Sequence, residues 1–239
     1  MQARPSVVLT RDPADSRALC EALVRRGVPV VEIPCVSGRL VDPAEAEVAA
    51  LPAAEVTGAV AFTSRRGAEG WARWPGRIAA AGVPVAAIGD STARALEEAG
   101  IRPSMVADPP TGAALAVLLA SRLAPPGNVI LPGGDLRAGG LEEGLAAAGI
   151  AFFHLTVYVN EEPPITPLDP FPVAAIFVAS PSAARRLVSA MPWMLGERFL
   201  AIGETTAAAI RDLGAARVEV AGRDLASWEA ALVAMIPTG

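Results

Sequence analysis

The 239-residue chain contains no lysine, so all 20 of its basic residues are arginine. That absence excludes Schiff-base catalysis and the lysine of a phosphate-binding loop. Histidine is nearly missing as well. His154 is the sole one, which excludes metal sites built on several histidines and leaves any Ser-His-Asp chemistry to centre on it. Its setting, "FFHLTVY", alternates like a strand and reads as a packed or edge histidine. Cys20 and Cys35 are too few for a disulfide framework and read as unpaired thiols. No charge-free apolar run reaches the ~18 residues of a membrane span. The opening "MQARPSVVLTRDPADS" lacks the apolar segment of a signal peptide, so the expected location is cytoplasmic. A net charge of −5 gives no basic face for nucleic acid.

What is present is a duplicated pattern. Residues 88–100 read "IGDSTARALEEAG" and residues 202–214 read "IGETTAAAIRDLG". Upstream of these, "AVAFTSRRGAEGW" (59–71) matches "AIFVASPSAARRL" (175–187), each an apolar strand running into hydroxyl residues and then a helix. A strand-helix-strand unit at 6–36 has its counterpart at 128–159, with Gly27 and Gly149 closing the two helices. Strands alternating with helices, most of them continuous apolar runs, predict parallel sheets covered on both faces. The fold class expected is α/β, two similar doubly wound domains arising by internal duplication. A split near 124–127 gives two complete halves. An exchange of the first unit between halves uses the same pieces, and the repeat leaves both arrangements open.

In such sheets ligands bind beyond the carboxyl ends of the strands. The residues there are Thr10-Arg11, Thr63-Ser64-Arg65-Arg66, Ser91-Thr92, Gly133-Gly134, Ser180-Pro181-Ser182 and Thr205-Thr206. Hydroxyls cap helices, and free N–H groups at a helix start favour an anion. Arginines in first turns (Arg11, Arg65, Arg66, Arg94, Arg185, Arg186) are disfavoured by the dipole, which fits an anionic ligand. "LPGGDLRAGGLEEG" lacks the G-x-G-x-x-G register and reads as a glycine-rich turn. Glu97-Glu98 and Glu142-Glu143 read as solvated helix faces, and the four tryptophans as packing residues. Tyr158, the sole tyrosine, follows a strand and precedes a proline-rich stretch, where it can pack or donate a hydrogen bond to a leaving group.

Taken in order, "VVLTR", "FTSRRGA", "IGDSTARAL", "PPTGAAL", "VYV", "SPSA" and "IGETTAAAI" resemble the uroporphyrinogen-III synthase family along nearly the whole chain. The resemblance implies two α/β domains joined by a pair of β-strand linkers. Residues 1–35 and 172–239 would form one, residues 40–155 the other, with linkers at 36–39 and 156–171. It implies cyclisation of hydroxymethylbilane with inversion of ring D and loss of water, in a cleft between domains, without a metal or organic cofactor. Tyr158 matches the residue that assists departure of the hydroxyl. Ser64 and Arg66 match a polar pair, Thr92 and Thr205 the hydroxyls of the two Ile-Gly motifs, and Arg198 a frequent basic position, while the matched motifs bring Thr111, Gly112 and Gly203 into the expected substrate-binding set. Thr92 and Thr205 are then expected to face one ligand from opposite sides. The expected partner is this polycarboxylate tetrapyrrole alone, with no nucleic acid or membrane, and the expected state is a monomer. The competing reading is a non-catalytic two-domain module that binds an anionic, tetrapyrrole-like ligand.

Overall fold

A computed structural model describes residues 4–76, 82–123, 127–136, 139–222 and 224–237. In chain order the elements begin with β1 (Ser6–Leu9), α1 (Pro13–Arg25), β2 (Val30–Glu32), β3 (Ser37–Leu40) and α2 (Glu45–Ala49). There follow β4 (Thr57–Phe62), α3 (Arg65–Arg73), β5 (Val85–Ala87), α4 (Asp90–Glu98), β6 (Met105–Val106) and α5 (Gly112–Arg122). The rest are β7 (Asn128–Gly134), α6 (Leu141–Ala147), β8 (Phe152–Glu161), β9 (Val173–Val178), α7 (Pro181–Ala190), β10 (Arg198–Ala201), α8 (Glu204–Asp212), β11 (Arg217–Val220) and α9 (Leu225–Ala234). No helix among the described residues is long and apolar enough to cross a membrane.

The chain divides into two compact units. Unit 1 comprises residues 1–37 and 161–239, and unit 2 residues 38–160. Unit 1 holds a sheet of order β11-β10-β9-β1-β2, and every pairing in it is parallel. Unit 2 holds the order β3-β8-β7-β4-β5-β6, parallel from β8 through β6. Setting β6-β5-β4-β7-β8 against β11-β10-β9-β1-β2 matches the two sheets strand for strand, so the duplication in sequence is a duplication of topology. The first strand-helix-strand unit is the exchanged one. Val8 of β1 pairs with Ile176 of β9, far along the chain.

The sequence explains why these strands are central. Val7, Val8 and Leu9 are fully buried, as are Ile176, Phe177 and Val178. Apolar side chains on both faces of a parallel strand require helices above and below. Accordingly the core of unit 1 lies in two layers, one under α7 and α8 around Leu187, Phe199 and Ile210, the other under α1 and α9 around Leu23, Phe177 and Leu232. Unit 2 is built alike, with Phe62, Trp71 and Leu96 on one face and Leu115, Leu119 and Leu145 on the other.

The proline-rich stretch after β8 reads in sequence as a linker, but the structure makes it part of unit 1. Ile165 and Phe171 pack against the core, Phe171 meets Trp193 edge-on at 5.5 Å, and the Trp193 indole N–H donates to Leu168 O. Arg186 fastens its start by donating to Glu162, to Pro163 O and, across to the first segment, to Cys35 O. Cys35 itself is fully buried, and burial pushes its thiol up to about 12, with the cationic Arg186 pulling the other way. Since the thiolate is the reactive form, Cys35 is expected to resist iodoacetamide in the native protein at neutral pH and to react after unfolding. Mass spectrometry of the labelled peptides checks this, and native labelling of Cys35 would contradict the burial.

Candidate active site

The helix starts at the carboxyl ends of the strands fall into two kinds. Five are closed by a side chain that accepts a backbone N–H. Asp12 caps α1 through Ala14 N, Ser64 caps α3 through Gly67 N, and Thr111 caps α5 through Ala114 N. Ser180 caps α7 through Ala183 N, and Asp224 caps α9 through Ser227 N. Ser64 and Ser180 occupy equivalent places in the duplicated plan. Ser182 adds a 3.0 Å contact between its own hydroxyl and that of Ser180.

The others, α4 and α8 with the short α6, begin at Gly89, Gly203 and Gly140 and have no side-chain cap; α4 and α8 are the long ones. These are the two Ile-Gly motifs. Their first amide groups are left for water or a ligand, and the helix dipole adds positive potential there. The first helical residue is acidic in both, Asp90 and Glu204, and Glu204 is drawn into an ion pair with Arg211 at 2.7 Å.

The helical phase decides which hydroxyl each motif offers. Thr92 and Thr206 are each 4% exposed and face inward, whereas Ser91 and Thr205 are exposed. Thr92 therefore corresponds to Thr206, and the outward counterpart of Thr205 is Ser91. Thr10 also turns inward. It is fully buried, and its hydroxyl donates to Phe177 O at 2.9 Å, tying the end of β1 to β9. Arg198 opens β10 and so lies at the amino end of a parallel sheet, away from the turns. It is held there by Glu219 and Met235 O. Arg11 stacks over Trp228 at 5.7 Å, while Arg65 pairs with Glu98 at 3.7 Å.

Unit 2 carries a cavity of about 230 Å³ at the carboxyl ends of its strands. Thr63, Ser64, Gly112, Gly133 and Tyr158 line it together, along with Ile88, Leu131 and Leu141. Tyr158 is placed by a register shift between β7 and β8, where Gly133 pairs with Thr156 but Gly134 pairs with Tyr158. Its ring lies flush on Gly134, since an added Cβ there would sit 2.5 Å from Cε2. The guanidinium of Arg66 stands 5.9 Å from the same ring, a cation–π contact. Arg66 in turn occupies the space left by Gly38, where a Cβ would collide with it. Next to the tyrosine, Asp135 accepts from both the backbone and side-chain N–H groups of Asn160, which lowers its carboxyl below the ordinary range. Asp135 N donates to Tyr158 O, closing the ends of β7 and β8.

Two lining residues carry chemistry that the sequence does not reveal. His154 of β8 and Glu142 of α6 both reach this cavity, with Nε2 and Oε1 3.8 Å apart. The signal in sequence is slight: His154 shares the even register of β8 with Thr156 and Tyr158.

The fold and the turns define a two-unit parallel α/β protein with uncapped helix starts and a tyrosine-bearing cavity, an architecture suited to an anionic organic substrate. The family model of uroporphyrinogen-III synthase HemD matches residues 17–225, and the chain belongs to that family. A uroporphyrinogen III synthase mutant from Thermus thermophilus is similar in fold, with a TM-score of 0.59 and 19% identity over 97% of this chain and 98% of that one. The uroporphyrinogen-III synthetase of Helicobacter pylori is similar at a TM-score of 0.65 and 18% identity, over 96% and 99%. No curated protein matches the chain in sequence. The chain is thus a cyclising lyase of tetrapyrrole biosynthesis, acting on hydroxymethylbilane.

Proposed function

We propose that this enzyme, a cytoplasmic monomer without metal or organic cofactor, holds hydroxymethylbilane by the carboxyl-end turns of both units at once and closes the macrocycle beside Tyr158. The observation that carries the reading is that the duplicated Ile-Gly motifs both start their helices without a side-chain cap, at Gly89 in unit 2 and Gly203 in unit 1. Their amides suit carboxylates, of which the substrate has many. The net charge of −5 does not oppose this, because the Debye length is about 8 Å at physiological salt and local donors dominate.

The chemistry asks the protein mainly for position. Loss of the terminal hydroxyl leaves an electrophilic methylene, and ring D must meet it through its substituted carbon for the ring to invert. Fixing that approach can supply about 7–11 kcal/mol of a barrier. The hydroxyl of Tyr158 hydrogen-bonds the departing oxygen, while Ser64 and Arg66 brace the tyrosine's surroundings.

Freshly generated hydroxymethylbilane, incubated with the protein and resolved into its uroporphyrinogen isomers, tests the reading. Isomer III is expected. Isomer I alone, the product of unassisted closure, would sink it and favour a binding module. Bridging has its own test. Ser91→Ala and Thr205→Ala are each expected to raise KM roughly three- to tenfold, the worth of one hydrogen bond, without lowering Tm. Thr92→Ala and Thr206→Ala should instead lower Tm. If only one of the two outward hydroxyls affects KM, the substrate is held by one unit.

A further inference from the structure

Tyr158 sits just past an irregularity in the pairing of β7 and β8, which makes its direction a matter of register. Gly133 pairs with Thr156 and Gly134 with Tyr158, so Val157 is the extra residue of a bulge. In a strand, a shift of one residue turns every side chain to the other face. Without the bulge Gly134 would face Val157, and the tyrosine ring would leave both the flush surface of Gly134 and the cavity.

Two carboxylates grip β8 on either side of that bulge. Each takes a backbone N–H and a side-chain donor from a single residue. Before the bulge, Glu47 of α2 accepts from Thr156 N at 3.0 Å and from the Thr156 hydroxyl at 2.8 Å. After it, Asp135 accepts from Asn160 N and Asn160 Nδ2, both at 2.8 Å. Tyr158 lies midway between the two grips. Asp135 also donates its own N–H to Tyr158 O at 3.2 Å.

The backbone register ends at Gly134 and Tyr158, and beyond it the N–H of Asn160 goes to a carboxylate. Bonds to an ionised acceptor are the stronger kind, and those from Asn160 hold the Asp135 carboxyl below its ordinary range. Asp135 and Asn160 are both exposed, so their contact adds little to the core. What it fixes is the direction in which the strand end presents its side chains.

We propose that Asp135 is a positioning residue of the synthase: by holding Asn160 it keeps β8 in the shifted register that turns the Tyr158 hydroxyl into the cavity. Glu47 fixes the strand on the other side of the bulge. The proposal rests on the reading of Tyr158 as donor to the departing oxygen, and it names what aims that donor. Asp135 acts on the reaction through Tyr158 and not on the substrate.

Because Tyr158 is the sole tyrosine, protein made with isotope-labelled tyrosine gives the ring signals of that residue alone by NMR, with no substrate present. D135A is expected to shift or split those signals. It should also lower kcat roughly tenfold, less than loss of the hydroxyl itself, while KM changes little. D135N keeps an acceptor oxygen and should restore the wild-type signals and most of the kcat. In a Y158F background D135A should cost less than about twofold, because a residue that acts through the hydroxyl has nothing left to aim. Unmoved ring signals in D135A, wild-type kcat in D135A, or an undiminished loss in the Y158F background would each overturn the proposal. Should D135A fail to fold, N160A, which removes only the side-chain donor, goes through the same comparisons and decides. Wild-type turnover in Y158F would overturn the reading of Tyr158 and the proposal with it. Isomer I alone from the wild type would overturn the synthase reading, and both of these outcomes are visible before Asp135 is changed.

Discussion

Tyr158→Phe is expected to lower kcat about 100-fold, the typical cost of removing one donor aimed at developing negative charge, while Tm stays close to wild type. The geometry separates the two effects. The ring is held by contacts that phenylalanine keeps: the flush face of Gly134, the Arg66 guanidinium at 5.9 Å and the apolar neighbours around Trp71. Only the hydroxyl is removed, and it lies in a cavity with Thr63, Ser64 and His154. Because slow enzymatic closure gives the unassisted route time to compete, the share of isomer I should also rise. Stopped assays that resolve both isomers measure the two changes together. Unchanged turnover would reassign Tyr158 to packing.

The largest expected effect on stability is that of Trp71→Ala. Trp71 is 1% exposed and contacts Phe62 edge-on at 6.1 Å and Trp74 at 5.6 Å. Truncating a buried tryptophan to alanine costs about 3–5 kcal/mol through lost transfer energy and the cavity left behind. The site would feel it, because Trp71 seats α3, and α3 carries Ser64 at its cap and Arg66 in its first turn. α3 also approaches β8 so closely that a Cβ on Gly70 would lie 2.7 Å from Val157 O. A shift of the helix is therefore transmitted to the strand that bears Tyr158. Urea unfolding followed by tryptophan fluorescence gives the free energy. A loss under about 1 kcal/mol would mean that the site collapses around the smaller side chain.

Much of this was legible in the sequence because duplication leaves the same apolar strands and hydroxyl turns in both halves. Ser64 and Ser180 follow matching apolar strands in the two halves, and both are helix caps. Thr92 was harder. Two adjacent hydroxyls follow each Ile-Gly, and only the phase of the helix over its sheet tells which one is buried. Thr10 shows a related ambiguity: a threonine ending a strand can look outward to a ligand or inward to a neighbouring carbonyl, and its hydroxyl donates to Phe177 O. Arg198 precedes the apolar run of β10, so strand direction alone puts it at the wrong end of the sheet. His154 and Glu142 stayed hidden because they meet across a strand and a helix. In one dimension, one looks like part of an alternating strand and the other like part of an acidic helix face.

The composition of unit 1 from both ends of the chain has a consequence for synthesis. β1 is made first, yet its partner β9 begins at Val173, after the whole of unit 2. At about 5–20 residues per second on the ribosome, unit 2 is complete and able to fold while β1, with three fully buried apolar residues in its finished state, still has only β2 beside it. The nascent protein thus carries an unsheltered strand for many seconds, with a folded body between it and its partner along the chain. Release of the C-terminal segment, and not emergence of the N-terminus, sets the moment at which the enzyme can first become active.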